Sequence, residues 1–361
     1  MLRQVANPPN PYLSEHREWL EPPPPAQIEV YEENAKSILS ENDSPDVGFR
    51  WSVNPYRGCQ HACAYCYARP THEYLSMGAG TDFDTKLIAK INAPDLLRQA
   101  FAKRGWLRET VVFSGVTDCY QPIEASYQLT RRCLEVCLEF KNPASIITKG
   151  CLVLRDAELL AELHRQTGSR VYQSIPFADD KLARLIEPQA APPSKRLEVM
   201  KRLSEAGVPV GVMVAPIIPG LNDTEIPKIL QLAAAAGAQS AGFVPLRLPK
   251  NVAPVFLERI RAALPDRAAR IESRIREMRS GRLNDPGFGS RMTGAGHYWK
   301  NIADLFRLSV EKYGIAAIQR RRQAEGPVGD DEDAATSGPA STSLPVLPTH
   351  DPNQLLFDFR E

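Results

Sequence analysis

Three cysteines with the spacing of a metal-cluster loop stand at Cys59, Cys63 and Cys66. They form the pattern C-x3-C-x2-C, directly after a predicted strand at residues 47–53. Three thiolates on one loop can bind three irons of a [4Fe–4S] cubane and leave the fourth iron without a protein ligand. The pattern therefore predicts an iron–sulfur cluster with one open coordination position.

An open iron can bind a cofactor directly. S-adenosylmethionine (SAM) suits such a site because its amino and carboxylate groups can chelate the iron. Electron transfer into the sulfonium then breaks a C–S bond and releases a 5′-deoxyadenosyl radical, which can abstract hydrogen. The cofactor supplies this chemistry, while the protein positions and shields it.

Zinc is the alternative for the same cysteines. A structural zinc site usually has four ligands in two C-x2-C-like pairs, and this sequence has no second pair. His61 or His72 could still complete a Cys3His site.

Six strand–helix repeats are predicted to position these residues. The predicted strands cover residues 47–53, 110–115, 144–148, 170–175, 208–215 and 240–246. The predicted helices between them cover residues 130–140, 156–167, 194–206 and 224–236. This alternation predicts an α/β fold with a parallel sheet, a partial (β/α)6 TIM-type barrel whose functional residues lie where strands end.

Four segments are expected along the 361 residues. They are an extended proline-rich lead-in at 1–45, a barrel core at 46–249, a helical basic extension at 250–323, and a disordered acidic linker with a terminal hydrophobic peptide at 324–361. Helices are predicted at 252–264, 268–280 and 301–313. No apolar run has the pattern of a signal peptide or membrane span, so we expect a cytoplasmic protein.

Several stretches resemble the radical SAM superfamily, in the branch related to spore photoproduct lyase. The superfamily motif C-x3-C-x-Φ-C is matched by Cys59, Cys63, Tyr65 and Cys66. The other matching stretches are FSGVTDCYQPIE, ITKGCLVLRD and NDPGFGSRMTGAGHYW. The resemblance implies a [4Fe–4S] cluster, SAM across the strand ends, and a reducing electron donor of the flavodoxin or ferredoxin type.

The resemblance also implies a set of SAM contacts. Tyr65 would pack near the adenine, and Lys149 and Ser174 are candidates for the carboxylate and the ribose. Ser114, Gly115, Thr117 and Asp118 would contact the methionine end, and Ala215 and Pro216 would begin a backbone contact to the adenine.

The sequence departs from spore photoproduct lyase at one functional position. That enzyme returns a hydrogen atom to its substrate radical from a cysteine near the second-strand motif, where Gly115 or Val116 stands here. Cys119, a few residues away, is a candidate hydrogen-atom donor, and a buried structural thiol is the alternative.

The extension at 250–323 carries 16 Lys or Arg against 7 Asp or Glu, which makes nucleic acid a candidate substrate or partner. A solvated helix face is the alternative, since Asp266, Glu272 and Glu277 interleave with the arginines. The terminal peptide from Gln354 to Phe359 resembles segments that dock on the bacterial DNA sliding clamp.

Three functions follow from these patterns. The first is a radical SAM enzyme, a lyase or a related type, that abstracts hydrogen from an unidentified substrate, with a damaged or modified nucleobase as one candidate. The others are a non-catalytic zinc or iron–sulfur module that binds nucleic acid, and a clamp-recruited DNA-repair accessory protein.

Overall fold

An eight-stranded sheet forms the centre of the protein. The structure, a computed structural model, describes residues 27–318. The sheet has the order β11-β10-β9-β8-β7-β6-β3-β2. Its strands are β2 (Leu39–Glu41), β3 (Trp51–Val53), β6 (Val111–Phe113), β7 (Ala144–Thr148), β8 (Arg170–Ser174), β9 (Val210–Ile217), β10 (Ser240–Pro245) and β11 (Ala316–Ala317).

Every neighbouring pair in this sheet is parallel except β2 with β3, which is antiparallel. The six predicted strands are therefore present and run in the predicted direction. The expected α/β fold with a parallel sheet is confirmed. Four predicted strands are longer than those observed. β3 begins only at Trp51, β6 ends before Ser114, whose φ is +83°, and β8 and β10 each end one residue earlier than predicted.

Eleven α-helices lie within residues 27–318. They are α1 (Thr81–Thr85), α2 (Ala93–Phe101), α3 (Glu124–Tyr127), α4 (Leu129–Glu139), α5 (Ala157–Thr167), α6 (Asp180–Ile186), α7 (Pro193–Glu205), α8 (Ile226–Ala235), α9 (Val252–Ala263), α10 (Pro265–Met278) and α11 (Gly296–Lys312). Short 3-10 helices span Arg69–Leu75, Cys151–Asp156 and Asp223–Glu225. Leu134 and Cys137 of α4, Leu160 of α5 and Leu230 of α8 are buried in the core that these helices form against the sheet.

A second, three-stranded sheet was not predicted from the sequence. It consists of β1 (Glu29–Glu33), β5 (Lys86–Lys90) and β4 (Tyr56–Arg57) in the order β1-β5-β4. β1 pairs with β5 in parallel and β4 pairs with it antiparallel. Because β4 leads directly into Gly58, this small sheet sets where the cysteine loop begins.

None of the helices between residues 27 and 318 is both long enough and apolar enough to cross a membrane. Residues 1–26 of the predicted lead-in lie outside the described part of the chain, as do the predicted linker and terminal peptide at 324–361.

Candidate functional site

A cavity of about 1030 Å³ lies on the face of the sheet opposite helices α2, α4, α5, α7 and α8, and α11 contributes to its wall. Alternate residues along the strands line it, as expected because successive side chains of a strand point to opposite faces. The alternation is seen from β6 to β9, in the pairs Val112 and Ser114, Ser145 and Ile147, Tyr172 and Ser174, and Met213 and Ala215. Thr148 and Pro216 near the ends of β7 and β9 also line the cavity, as do the consecutive residues Gly242, Phe243, Val244 and Pro245 of β10. Intervening residues such as Phe113 and Ile146 lie in the core beneath the helices. The sheet therefore separates a helix-packed core from a cavity.

The cysteine loop begins with a turn that only glycine fits. Gly58 has a φ of +74°, a backbone conformation that side chains disfavour. A Cβ atom there would lie 2.9 Å from the carbonyl oxygen of Lys86 and 3.0 Å from Cε1 of His72. The His72 ring is itself held by its Nε2, 2.8 Å from the Lys86 carbonyl. This close approach fixes the direction in which the loop leaves β4.

Two successive turns bring the three thiols to one wall of the cavity. The amide of Ala62 donates to the carbonyl of Cys59 at 3.2 Å, and the amide of Cys66 donates to that of Cys63 at 3.3 Å. Cys59, Cys63 and Cys66 all line the cavity and all are free thiols.

The environment of these thiols suits a metal cluster. Burial raises the pKa of all three, that of Cys63 to about 12, and the nearby Asp118 carboxylate adds to the effect at Cys59. Metal coordination deprotonates such thiols and compensates the buried charge. Within residues 27–318, no three His, Cys, Asp or Glu side chains converge as a site for one metal ion. A cubane does not require that convergence, since each thiolate binds a different iron.

The loop after β6 supports the cysteine loop. Thr117 donates its hydroxyl to the Gly58 carbonyl at 2.5 Å, and Gln121 donates its side-chain amide to the same oxygen at 3.0 Å. The backbone amide of Gln60 also donates to the side-chain oxygen of Gln121 at 3.0 Å. Thr117, predicted to contact SAM, therefore has a defined role in holding the loop.

Asp118 connects the ends of β6 and β7. Its carboxylate accepts the Thr148 hydroxyl at 2.6 Å and the Lys149 amide at 2.7 Å, and it lies 3.4 Å from Nδ1 of His61. Burial alone would raise the pKa of Asp118, but His61 and these hydrogen bonds hold it below its ordinary value. Asp118 is therefore an ionised group that aligns two strand ends at the cavity wall.

A buried network orients Tyr65 and Lys149. The Tyr65 hydroxyl donates to Glu187, which also forms an ion pair with Arg196. Lys149 Nζ lies 3.9 Å from Glu187 and 5.6 Å from the centre of the Tyr65 ring. Arg196 in turn donates to the Ser174 carbonyl at 2.8 Å. One carboxylate thus links a ring, an ammonium group and the end of β8.

The structure brings the predicted site residues together around one cavity. Those lining it are Cys59, Cys63, Tyr65, Cys66, Ser114, Gly115, Thr117, Asp118, Lys149, Ser174, Ala215 and Pro216. The Ser114 hydroxyl accepts the amide of Cys119 at 3.0 Å, and the Gly115 carbonyl accepts the Tyr67 hydroxyl at 2.5 Å. Their individual contacts with SAM remain predictions.

Cys119 is the one candidate residue that does not line this cavity. Its side chain is fully buried in the main core, and burial raises the pKa of its thiol well above the ordinary value. The carbonyl of Cys119 accepts the Thr130 hydroxyl at 2.6 Å. This position matches the alternative of a structural thiol better than that of a hydrogen-atom donor.

Several site residues were not identified from the sequence. No sequence pattern marked Glu187 or Arg196 as a site residue. An isolated glutamate and an arginine in a helix have the usual pattern of surface residues. Arg247 and Arg291 also line the cavity, and Arg291 forms an ion pair with Asp46. Arg291 lies in the stretch NDPGFGSRMTGAGHYW, so the family resemblance could have identified it.

Many arginines of the basic extension are engaged within the protein. Arg274 pairs with Glu277 at 2.6 Å, and Arg276 pairs with Glu272 at 2.8 Å. Arg279 is buried and donates to the carbonyls of Leu246 and Arg291, each at 3.0 Å. The exposed pairs of Arg274 and Arg276 favour the solvated-face alternative for α10, whereas Arg279 lies buried just after it. The segment from Gln354 to Phe359, predicted to bind the clamp, lies outside the described residues.

The fold and the site together define a class of protein: a parallel α/β sheet that holds a three-cysteine loop against a large cavity. The sequence matches the model of the radical SAM superfamily over residues 53–233, and the chain belongs to that superfamily. Its members are enzymes that use SAM and a [4Fe–4S] cluster.

The chain is also similar to curated relatives and to solved structures. An uncharacterized protein of Mycobacterium tuberculosis is 37% identical over 254 residues, covering 70% of this chain and 74% of the relative. An uncharacterized protein of Methanocaldococcus jannaschii is 32% identical over 200 residues, 55% of this chain and 72% of the relative. The structure of spore photoproduct lyase complexed with dinucleoside spore photoproduct aligns with a TM-score of 0.59 and 17% identity, covering 80% of each chain. This last similarity shows a shared fold.

Proposed function

We propose that this protein cleaves SAM reductively at a [4Fe–4S] cluster held by Cys59, Cys63 and Cys66, and abstracts hydrogen from a substrate in the adjoining cavity. The bound cofactors supply the chemistry, in which an electron from a reductant breaks a C–S bond of SAM and yields a 5′-deoxyadenosyl radical. The observation that carries the proposal is the position of the three thiols, two buried and that of Cys66 half-buried, on the wall of the cavity that also holds the predicted SAM contacts.

The residues of the chain bind and orient the cofactors. Lys149 offers an ammonium group to the SAM carboxylate, and a charge-assisted bond of this kind is stronger than a neutral one. Glu187 restrains both Lys149 and the Tyr65 ring, so neither has to be ordered when the cofactor binds. The parallel sheet forms one wall of the cavity that would hold SAM.

For the substrate we propose an anionic molecule, with a modified nucleobase in nucleic acid as the leading case. The cavity volume of about 1030 Å³ is at the upper end of the range for ligand pockets, which leaves room beside SAM. Arg247 and Arg307 lie along its wall and suit phosphate groups. Spore photoproduct lyase, which shares the fold, has been solved with a dinucleoside photoproduct bound.

Anaerobic reconstitution tests the proposal. The protein would be loaded with iron and sulfide, reduced with dithionite in the presence of SAM, and assayed for 5′-deoxyadenosine. We expect product from the wild type and none from Cys63→Ala, while Cys151→Ala, which alters a half-buried cysteine outside the cavity, should retain activity. Absence of product from fully loaded, SAM-bound wild type would refute the proposal, as would a single zinc ion in place of iron.

Substrate class is tested separately. Cleavage of SAM should be stimulated by single-stranded or ultraviolet-damaged DNA, and the stimulation should fall as salt rises, because phosphate contacts release counterions. Stimulation by no nucleic acid, with normal basal cleavage, would reject the substrate while leaving the SAM chemistry intact.

A further inference from the structure

Helix α9, in the C-terminal extension, contributes an arginine to the back of the cysteine loop. The side chain of Arg259 is only 5% exposed and points into the protein. Its guanidinium donates to the carbonyl of Ala62 at 2.6 Å, between the first two cysteines of the motif. It also forms an ion pair with Asp84 at 2.5 Å.

The other oxygen of Asp84 holds a second arginine. Arg69 is fully buried and pairs with Asp84 at 2.8 Å. It donates to the carbonyl of Cys63 at 2.8 Å, and to those of Ala79 and Gly80 at 3.0 and 2.8 Å. One carboxylate therefore joins two guanidinium groups, which fix the carbonyls of two consecutive residues in the cysteine loop.

This arrangement places a net positive charge beside the thiols. Two arginines and one aspartate sum to +1, and such buried groups persist only when each is paired and hydrogen-bonded. A cluster held by thiolates is anionic, and its potential depends on nearby charge and on the groups that fix its ligands. The arginines thus act on the loop in two ways, through backbone geometry and through charge.

We propose that Arg259 is a positioning residue for the iron–sulfur cluster, so that helix α9 is part of the metal centre rather than of a nucleic-acid-binding face. The inference rests on the proposed function, because it requires a cluster on Cys59, Cys63 and Cys66. Arg259 does not touch the reacting atoms; it acts through the Ala62 carbonyl and through Asp84 and Arg69.

The test compares Arg259→Gln with Arg261→Gln, a control on the same helix whose arginine is exposed and pairs with Glu272. Both proteins are reconstituted anaerobically, and three properties of the cluster are measured: the rate of iron loss to a chelator, the EPR spectrum of the reduced form, and its reduction potential. We expect iron loss about 10- to 100-fold faster in Arg259→Gln, as for other residues that orient metal ligands. Its potential should fall, because removing a cation disfavours the reduced cluster, and its EPR spectrum should change.

Arg259→Lys separates charge from geometry. It keeps the positive charge but cannot donate along two directions as a planar guanidinium does. The potential should return towards the wild-type value, while iron loss stays faster than in Arg261→Gln.

Failure of the proposed function and failure of the role of Arg259 would give different results. Wild type that loads no cluster would refute the proposed function. A folded Arg259→Gln whose lifetime, spectrum and potential match those of Arg261→Gln would refute the role of Arg259. Should Arg259→Gln fail to fold, the same comparison is made with Arg259→Lys, and identity with the control would overturn the inference.

Discussion

The Glu187→Gln substitution tests whether the buried network beside Tyr65 stabilises the fold. Glutamine has the shape of glutamate and can still accept a hydrogen bond, but it carries no charge. Arg196 is 1% exposed and Glu187 fully buried, so the variant leaves a guanidinium buried without its ion-pair partner. Breaking a buried pair in this way costs about 3–5 kcal/mol. The Gln oxygen can still accept a hydrogen bond from Tyr65 or Arg196. We therefore expect the free energy of unfolding to fall by about 3 kcal/mol, the lower end of this range.

The assay is denaturant unfolding of the anaerobically purified protein, followed by circular dichroism. Glu198→Gln is the matched control, since Glu198 pairs with Lys195 on the exposed face of α7 and its loss should leave the midpoint unchanged. The double variant Glu187→Gln, Arg196→Met should lose less stability than the sum of its single variants, because no charge then remains buried alone. A wild-type midpoint in Glu187→Gln, or additive single effects, would refute this reasoning.

The same substitution has a predictable dependence on pH. Burial raises the pKa of Glu187, but Arg196 and Lys149 outweigh it and hold the pKa below the ordinary value. A depressed carboxyl pKa contributes stability that is full above the unfolded value of about 4.3 and is lost as the pH falls further. The difference in stability between wild type and Glu187→Gln should therefore be constant from pH 7 to 6 and shrink below about pH 4.3. A difference that grows on acidification would contradict the assignment of a depressed pKa.

Three further predictions concern the cysteine loop, the buried thiol of Cys119 and the cavity. Gly58→Ala should destabilise the protein by at least about 1–3 kcal/mol, because φ is +74° and its Cβ would meet the Lys86 carbonyl; an unchanged unfolding midpoint would contradict this. Cys119 should escape alkylation by iodoacetamide in the native protein and react after unfolding; native labelling, detected by mass spectrometry, would show that the thiol is accessible. Lys149→Met should weaken SAM binding to the reconstituted protein about 10- to 100-fold through loss of a charge-assisted bond, measured by equilibrium dialysis, and wild-type affinity would exclude the assigned contact.

The parallel strands could be predicted because they are short β-branched runs that alternate with amphipathic helices. The strand at 144–148 is observed with the predicted bounds. The strand β1, with the sequence EVYEE, was missed because its side chains are mostly exposed and three of them are glutamates. Its place in the fold comes from pairing with β5, more than 50 residues away, and no local pattern carries that information.

Site residues could be predicted where one short segment contains the functional side chains. They were harder to predict where residues distant in the sequence contact one another. The cysteine motif is such a segment, and the family resemblance added the residues at the strand ends. The sequence does not predict the buried cluster of Asp84, Arg69 and Arg259. Each is a charged residue of a common type, and only the fold buries the three together. Glu187 and Arg196 are hidden for the same reason.

The alternation of side chains along the strands has a consequence for how such a protein can acquire new substrates. The side chains of residues such as Ser145, Tyr172 and Met213 line the cavity. Those of their immediate neighbours in the chain pack against the helices. On β6 to β9, a change in the volume or charge of the cavity therefore needs substitutions mainly at every second strand residue. Substrate preference can then diverge between relatives while the helix-packed layer, and the thermodynamic stability it provides, stays the same.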